Sequence, residues 1–315
     1  MTKRALAKKY DIHPDYYKYR NIILPLVPSI IPVLNAILNL VNSFVPVPKE
    51  LKITKYIIPG YNDVPIKVKL ISLTNADTPL PALVYFHGGA FMTQASSYLI
   101  ELIYKYALNI PCKLVYVDYR LLPKHPYPVG LEDCYTSYHW VCENAEKLGI
   151  DKNRIAVGGD SAGGALATGV SLLANDRNVS KPCFQMLIYP VTDKRQTTKS
   201  MMEFTDTPLW NGVQNKKMWK LYIKNEPDEN VKYASPVEID DLSGLPPTYI
   251  EVAEFDPLRD EGIEYAKALT GNGVPTQLIE TKRTVHGFEI EKNNPETKRA
   301  VTERLSALKK VFYGC

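Results

Sequence analysis

Short apolar runs alternate with longer amphipathic segments along most of the chain. The runs have the length of buried strands, and the segments between them repeat apolar residues at helical spacing. Strands are predicted at residues 82–86, 114–117, 155–157, 186–189, 248–252 and 276–280, and helices at 98–108, 131–148, 162–174 and 296–312. Such alternation is typical of an α/β fold in which helices cover both faces of a parallel sheet.

Two further strands precede this pattern. Residues 51–58 and 65–73 alternate between apolar and polar positions, and Pro59-Gly60-Tyr61-Asn62-Asp63 lies between them. Pro, Gly, Asn and Asp favour turns, so the two segments are predicted to form an antiparallel hairpin at the start of the sheet.

The apolar segment 22–45 raises the question of a membrane anchor or signal peptide. Pro25, Pro28 and Pro32 interrupt its first part, and no small-residue cleavage site follows, so we expect no integral membrane span. From Val33 onward the apolar residues share one helical face, and asparagines lie off it. We predict a lid helix whose apolar face covers the protein. The alternative is a helix at a membrane interface, although its polar face is asparagine-rich rather than basic.

A long polar connection interrupts the strand–helix alternation. Residues 191–233 separate two predicted strands by more than a usual loop, and they contain Trp210 and Trp219. Because active sites of open α/β sheets lie at the carboxyl ends of the strands, we expect this insertion to cover the site. The predicted organisation is an N-terminal cap segment at 1–50, a catalytic domain at 51–190 and 234–315, and a cap insertion at 191–233.

Charge and cysteine content exclude several classes of protein. The 315 residues carry 38 Lys and Arg against 34 Asp and Glu, a net charge of +4, with no basic block of the kind that follows a phosphate backbone. We therefore expect no nucleic-acid partner. Five cysteines, an odd number without a C-x-x-C pair, argue against a disulfide framework and a zinc knuckle. A reducing compartment, the cytoplasm, is the simplest interpretation.

A candidate nucleophile lies in a Gly-x-Ser-x-Gly motif. Gly159-Asp160-Ser161-Ala162-Gly163 follows the apolar run 155–157 and begins the predicted helix 162–174. This strand–turn–helix context is the one the motif requires, since small residues permit a sharp turn that lifts the serine clear of the sheet. Ser161 is therefore the predicted nucleophile.

A second motif supplies candidate backbone donors. His87-Gly88-Gly89 directly follows the predicted strand 82–86. Peptide N–H groups at such a position stabilise the oxyanion of acyl transfer. We predict an oxyanion hole made by Gly88, Gly89 and Ala162, and we assign His87 a structural role because it precedes the nucleophile.

A serine nucleophile needs a base, and the base needs a carboxylate. Of five histidines, only His286 lies in a loop after a late strand, and Asp256 follows the predicted strand 248–252. Ser161, Asp256 and His286 occur in the serine, acid, histidine order of an α/β-hydrolase. The nearby Asp260 and Glu261 fall in the first turn of the next helix, where the expected role of their charge is to stabilise the helix dipole.

These motifs resemble the hormone-sensitive lipase-like family of α/β-hydrolase carboxylesterases, which includes bacterial esterases and acetyl esterases and is related to arylacetamide deacetylases. The resemblance extends from about residue 80 to the C-terminus. It rests on six blocks in order, which are His87-Gly88-Gly89-Ala90-Phe91, Asp118-Tyr119-Arg120-Leu121, the sequence 158–164, Leu245-Pro246-Pro247, the sequence 256–261 and His286-Gly287-Phe288. Ala90 departs from the family where many members have a third glycine, and Lys124 where a glutamate often stands.

The resemblance implies an eight-stranded, mostly parallel sheet with a helical cap, no metal or organic cofactor, and a possible homodimer through the last strand and helix. The expected activity is hydrolysis of small-molecule acyl esters of short to medium chain length through an acyl-enzyme. Alternatives are a carbohydrate or small-metabolite deacetylase and an amidase with the same triad. A non-catalytic ligand-binding relative would lack the histidine that His286 provides. The predicted cap contains four aromatic residues, and the sequence does not decide which of them line the pocket and which only pack. They are Phe204, Trp210, Trp219 and Tyr222.

Overall fold

A computed structural model describes residue 2 and residues 9–75, 79–224 and 231–314. Cys315, most of residues 1–8 and residues 225–230 of the predicted cap insertion lie outside the described residues. Every statement below concerns the described part of the chain.

The core of the fold is an eight-stranded sheet in the order β1-β2-β4-β3-β5-β6-β7-β8. β1 is antiparallel to β2, and β2 is antiparallel to β4, whereas all other neighbours are parallel. The predicted hairpin and the mostly parallel sheet are thereby confirmed. The strands are β1 (Leu51–Pro59), β2 (Pro65–Leu73), β3 (Leu80–Phe86), β4 (Lys113–Asp118), β5 (Ile150–Asp160), β6 (Gln185–Ile188), β7 (Thr248–Phe255) and β8 (Thr276–Val285).

Helices pack on both faces of this sheet, as the apolar runs predict. Leu83 and Tyr85 of β3 belong to one buried cluster, and Val84 and Phe86 belong to the other, because successive side chains of a strand point to opposite faces. The helices are α1 (Ile31–Ser43), α2 (Ser97–Asn109), α3 (Val129–Glu143), α4 (Ala162–Asp176), α5 (Lys199–Glu203), α6 (Gly212–Tyr222), α7 (Arg259–Gly271) and α8 (Pro295–Tyr313).

The orientation of α1 differs from the expectation. Asn35 and Asn42, expected on the outer face, point inward and hydrogen-bond to the loop before α2: Asn35 Nδ2 donates to the Met92 carbonyl at 2.9 Å and Asn42 Nδ2 to the Ala95 carbonyl at 2.8 Å. Leu34 and Leu38 are half-buried beside them. Of the other residues on the predicted apolar face, Val45 is half-buried, whereas Val33, Ile37, Val41 and Phe44 are exposed. The prediction that the apolar stripe faces inward is therefore wrong for these four residues, since backbone acceptors orient the helix.

Two glycines bring the end of β3 and the start of α4 into direct contact. A Cβ atom at Gly163 would lie 2.0 Å from the Phe86 carbonyl oxygen, and one at Gly159 would lie 2.4 Å from the Gly163 backbone. Real Cβ atoms do not approach backbone this closely. Only glycine at both positions allows the helix to begin against the sheet, which is the physical reason for the small residues of the motif.

Replacing Gly163 with alanine is expected to lower the free energy of unfolding by about 2 to 3 kcal/mol, because the new methyl group must displace the backbone at Phe86. Gly271, at the end of α7, is the matched control: a Cβ there meets nothing within 4 Å, and alanine is the better helix former. Gly271→Ala should leave stability unchanged or raise it by up to about 1 kcal/mol. Urea unfolding followed by circular dichroism measures both, and equal values for the two variants would contradict the close-contact account.

Candidate active site

Three strands end at one edge of the sheet, and each is followed directly by a residue of the predicted triad. Ser161 follows β5, Asp256 follows β7 and His286 follows β8. His286 Nε2 lies 2.9 Å from Ser161 Oγ, and His286 Nδ1 lies 2.7 Å from Asp256 Oδ2. The structure thus brings the three side chains into one hydrogen-bonded row. β8 continues to Val285, beyond the predicted end at residue 280, and so carries His286 to the site.

The backbone at Ser161 is held in an uncommon conformation. Its backbone angles are φ 54° and ψ −118°, and L residues rarely adopt such a positive φ. Its N–H donates to the Ile188 carbonyl of the adjacent strand at 2.8 Å, which stabilises the sharp turn between β5 and α4. Strain of this kind clusters at functional residues, and here it presents the hydroxyl to the pocket.

Asp256 is fully buried, and a hydrogen bond to the carboxylate oxygen that does not face His286 holds its side chain in place. Asp256 Oδ1 accepts the Leu258 N–H at 2.9 Å, so the Oδ2 atom remains directed at His286. A carboxylate at Nδ1 selects the tautomer in which that nitrogen carries the proton, which leaves Nε2 free to accept the Ser161 hydroxyl proton. The arrangement can activate a serine for attack on a carbonyl.

The loop after β3 departs from the expectation at Gly88. Its N–H donates to Asp160 Oδ1 at 3.1 Å and is therefore already used inside the protein. Gly88 is a wrong prediction for an oxyanion donor. Gly89 and Ala90 also line the pocket, both with positive φ, and neither their N–H groups nor that of Ala162 donates to an acceptor among the described residues. Asp160, the acidic residue next to Ser161, was the signal in the sequence that could have predicted an acceptor for the Gly88 N–H.

Asp160 holds the two catalytic loops together. It is buried, and its Oδ1 also accepts the Tyr85 hydroxyl at 3.0 Å. Burial, followed by the charge of Glu289, raises the pKa of Asp160 to about 6, although the hydrogen bonds from Tyr85 and Gly88 and the nearby His286 oppose the rise. The carboxyl group is thus poorly solvated next to Ser161.

His87 has the structural role that the sequence predicts. Its ring is buried and stacks on Tyr119, with the ring centres 4.6 Å apart, and the Tyr119 hydroxyl donates to the His87 carbonyl at 2.7 Å. Burial lowers the pKa of His87, which favours the neutral ring.

A buried ionic network supports the histidine side of the site. Tyr189, directly after β6, places its ring 4.5 Å from that of His286, and its hydroxyl donates to Glu289 at 2.7 Å. Glu289 in turn pairs with Arg304 of α8, which also pairs with Glu251 of β7. These fully bonded charges fix the ring against which His286 rests.

The two acidic residues after Asp256 do more than was expected. Both lie in the first turn of α7, as predicted. Glu261 is also buried and accepts the Thr192 N–H at 2.7 Å, and Asp260 accepts the Ser200 N–H at 2.8 Å. Burial raises the pKa of Glu261 well above its usual range. The two side chains therefore attach the start of the 191–233 segment to the sheet.

The triad lies at the base of a pocket of about 250 Å³. Its walls come from the loop after β3 and from Tyr98 at the start of α2, and its roof comes from Ile22, Leu24 and Trp210. The two roof segments are joined, since the Leu209 N–H donates to the Ile22 carbonyl at 3.2 Å. The lining is mainly apolar.

Of the four aromatic residues singled out in the insertion, Trp210 alone lines this pocket, with its ring centre 6.1 Å from that of His286. Trp219 is buried and contacts Tyr222, which stacks on Phe91 at 3.7 Å. Phe204 packs on Tyr10 and is a packing residue as well. Trp210 is therefore the one of the four that lines the pocket, and the other three pack elsewhere in the fold.

Sequence reasoning missed several pocket residues, including Tyr98, Tyr189, Ile22 and Leu24. Tyr189 had a usable signal, since it is the last residue of the predicted strand 186–189, close to the carboxyl end at which the site was expected. No comparable signal marks Ile22 or Leu24, because they are placed by contacts with a segment almost 190 residues away in the sequence.

A family model described as the alpha/beta hydrolase fold matches residues 83–290, two thirds of the chain. The chain is 36% identical over 237 residues to the esterase LipI of Mycobacterium tuberculosis, covering 74% of each protein. It is 35% identical over 260 residues to the carboxylesterase NlhH of the same organism, covering 81% of each. The chain therefore belongs to the α/β-hydrolase family.

Solved structures agree with this assignment. A bacterial heroin esterase superposes with a TM-score of 0.85 at 34% identity, over 92% of this chain and 93% of that one. The esterase LipW of Mycobacterium marinum gives 0.88 at 31% identity, over 96% of each chain. Together with the named relatives, they identify the chain as a hormone-sensitive lipase-like carboxylesterase, that is, a carboxylic ester hydrolase.

The described residues contain no group of three or more His, Cys, Asp or Glu side chains placed to hold a metal ion. None of their helices combines the length and the apolar character needed to cross a membrane.

The raised pKa of Asp160 makes a testable contribution to stability. A carboxyl group whose pKa is about 6 when folded and about 4 when unfolded stabilises the fold at low pH, and this contribution is lost as the pH rises through that interval. Between pH 4.5 and 7.5, wild type should lose about 2 kcal/mol of unfolding free energy relative to Asp160→Asn, whose side chain does not titrate. Urea titrations of both proteins at the two pH values measure this difference, and a constant offset would contradict it.

Proposed function

We propose that the protein is a serine carboxylesterase that hydrolyses short- to medium-chain acyl esters through an acyl-enzyme, with Ser161 as nucleophile, His286 as base and Asp256 as its carboxylate partner. The observation that carries this proposal is the row of two hydrogen bonds, 2.9 and 2.7 Å long, at the base of a small apolar pocket.

The reaction proceeds in two halves that share one base. His286 Nε2 takes the Ser161 proton as Oγ bonds to the ester carbonyl carbon, and the carbonyl oxygen becomes an oxyanion. Collapse of this intermediate breaks the bond to the alcohol oxygen, which receives the proton from His286. A water molecule then repeats the sequence on the acyl-enzyme and releases the acid and free Ser161.

We assign the oxyanion donors to the N–H groups of Gly89, Ala90 and Ala162. Their support is that the neighbouring Gly88 N–H is held by Asp160. Removing one well-placed donor of this kind typically costs about 3 to 4 kcal/mol of transition-state stabilisation. Asp160 is then a positioning residue, since it fixes the loop that presents two of the donors.

The size and roof of the pocket support the chain-length range. A cavity of about 250 Å³ is at the small end of ligand sites, and Trp210 closes it above the triad. The same triad can act on sugar acetates or amides, and no side chain of the pocket selects those substrates over simple esters. We also assign residues 1–50 and 191–233 to a cap.

Location and assembly are proposed from the cysteines and from the edge of the sheet. Cys112, Cys134, Cys142 and Cys183 are free thiols, which supports a reducing, cytoplasmic environment. β8 is at an edge of the sheet, so a dimer through β8 and α8 stays a prediction.

Replacing Ser161 with alanine should abolish ester hydrolysis, with a loss of kcat on p-nitrophenyl acetate of about 10⁴-fold or more, because removing the nucleophile of such a triad costs at least this much. Ser171→Ala is the matched control. Ser171 is a buried serine of the same helix whose hydroxyl bonds only to the Ala167 carbonyl at 3.0 Å, so this variant should keep kcat within a few-fold. Retention of wild-type turnover by a folded Ser161→Ala protein would refute the proposal.

The acyl range is tested with p-nitrophenyl esters from acetate to palmitate. Wild type should have its highest kcat/KM between acetate and about hexanoate, because longer chains do not fit under Trp210. Trp210→Ala should move the maximum to longer chains, whereas Trp219→Phe, at a buried position outside the pocket, should not. A wild-type maximum at laurate or beyond would show that the pocket does not limit the chain.

A further inference from the structure

A set of large apolar side chains is exposed on α1 and on the segment that leads into it. Their exposed fractions run from 43% to 78%, with Phe44 the most exposed. We call this set the apolar band, and its members are Ile22, Ile23, Val27, Ile30, Val33, Ile37, Leu40, Val41 and Phe44. An exposed apolar surface of this extent marks an interaction site rather than ordinary surface variation.

The protein itself fixes the outward direction of the band. Asn35 Oδ1 accepts the Gln94 N–H at 2.9 Å, and two further bonds join Asn35 and Asn42 to carbonyl groups of the same loop. At 100° per residue, the exposed apolar positions from Ile30 to Phe44 occupy an arc of about 100° on the opposite side of the helix. Turning the arc inward would break three hydrogen bonds, so its exposure is a property of the fold.

The part of the sequence that contains the band is rich in cationic residues, although Lys9 and Lys18 pair with Asp206 and Glu291. Residues 1–55 contain nine Lys and Arg against three Asp and Glu, a net charge of +6, whereas the remaining 260 residues sum to −2. α1 itself contains no charged residue. Lys49, Lys52 and Lys55, which follow the helix, are exposed and form no ion pair with any described residue.

The band also reaches the active-site pocket. Ile22 belongs to both, and the adjacent Ile23 forms a backbone bridge to Leu209, next to Trp210 of the roof. A surface that covers the band would therefore lie beside the roof of the pocket.

We propose that the apolar band is a docking surface for an anionic lipid membrane, on which α1 lies parallel to the surface. Apolar side chains enter the boundary between headgroups and acyl chains, and the exposed lysines that follow the helix in sequence contact anionic headgroups; both contributions add to interfacial binding. A second copy of this chain is the less favoured occupant, because α1 offers no acidic residue to pair with the exposed Lys49, Lys52 and Lys55 of the other copy. The inference concerns binding alone and does not depend on the proposed catalytic function.

The experiment is flotation of the full chain with vesicles, carried out on the Ser161→Ala protein so that no lipid is hydrolysed. Vesicles of phosphatidylcholine with 30% phosphatidylglycerol are compared with pure phosphatidylcholine at low and at high salt. The band variant is Ile37→Ser with Phe44→Ser. Its matched control is Met202→Ser with Val213→Ser, which removes two apolar residues of similar exposure, 70% and 51%, outside the band.

A charge variant tests the second contribution. Lys49→Gln, Lys52→Gln and Lys55→Gln together are compared with Lys147→Gln, Lys152→Gln and Lys309→Gln, three exposed lysines elsewhere on the surface. Circular dichroism and light scattering on every protein report the fold and the oligomeric state.

The Ser161→Ala protein without further changes should float with anionic vesicles. The floated fraction should be at least five-fold larger than with pure phosphatidylcholine, and it should fall at high salt. The band variant and the charge variant should each lose five-fold or more, whereas their two controls should not change. Absence of flotation, equal binding to both lipids, or equal binding by the band variant and its control would overturn the proposal. So would a dimer in solution that the band variant dissociates, since the band would then be an interface between copies.

Discussion

The close contact between the end of β3 and the start of α4 is the constraint on which the site depends. The space between the Phe86 carbonyl and the helix admits no Cβ at Gly159 or Gly163. Because the two backbones meet there, the nucleophile turn and the loop after β3 occupy one small volume. Asp160 then links them, accepting the Gly88 N–H while its neighbour Ser161 projects into the pocket. Ser161 and the proposed oxyanion donors are thus positioned by one piece of backbone packing.

The remaining catalytic groups reach that volume because parallel strands end at a common edge. Asp256 and His286 each follow a strand directly, so their separation from Ser161 is set by sheet geometry rather than by loop conformation. This explains why residues 95 and 125 positions from the serine in sequence complete a row of hydrogen bonds. It also explains why a short motif and the order of strands sufficed to find the three candidates.

Features with a local cause were predictable from the sequence, and features with a distant cause were not. The strands and helices follow from hydrophobic period, and Ser161 from its strand–turn–helix context. The role of Gly88 was missed because its partner Asp160 lies 72 residues away, and its engagement depends on the contact between two loops. Ile22 and Leu24 were missed for the same reason, because their place in the pocket is set by bonds to Leu209 and Gln214.

α1 shows how a correct pattern can lead to a wrong orientation. An amphipathic helix normally turns its apolar face to the core, and the sequence of α1 has such a face. The loop at 92–95, however, presents two carbonyl groups and one N–H to the helix, and Asn35 and Asn42 hydrogen-bond to them. A buried backbone group without a partner costs about 1 to 3 kcal/mol, and three such bonds can outweigh the burial of a few apolar side chains that another surface can cover. The asparagines, which look like a solvent face in the sequence, are the polar part of an interface, and the apolar residues are left for a partner outside the chain.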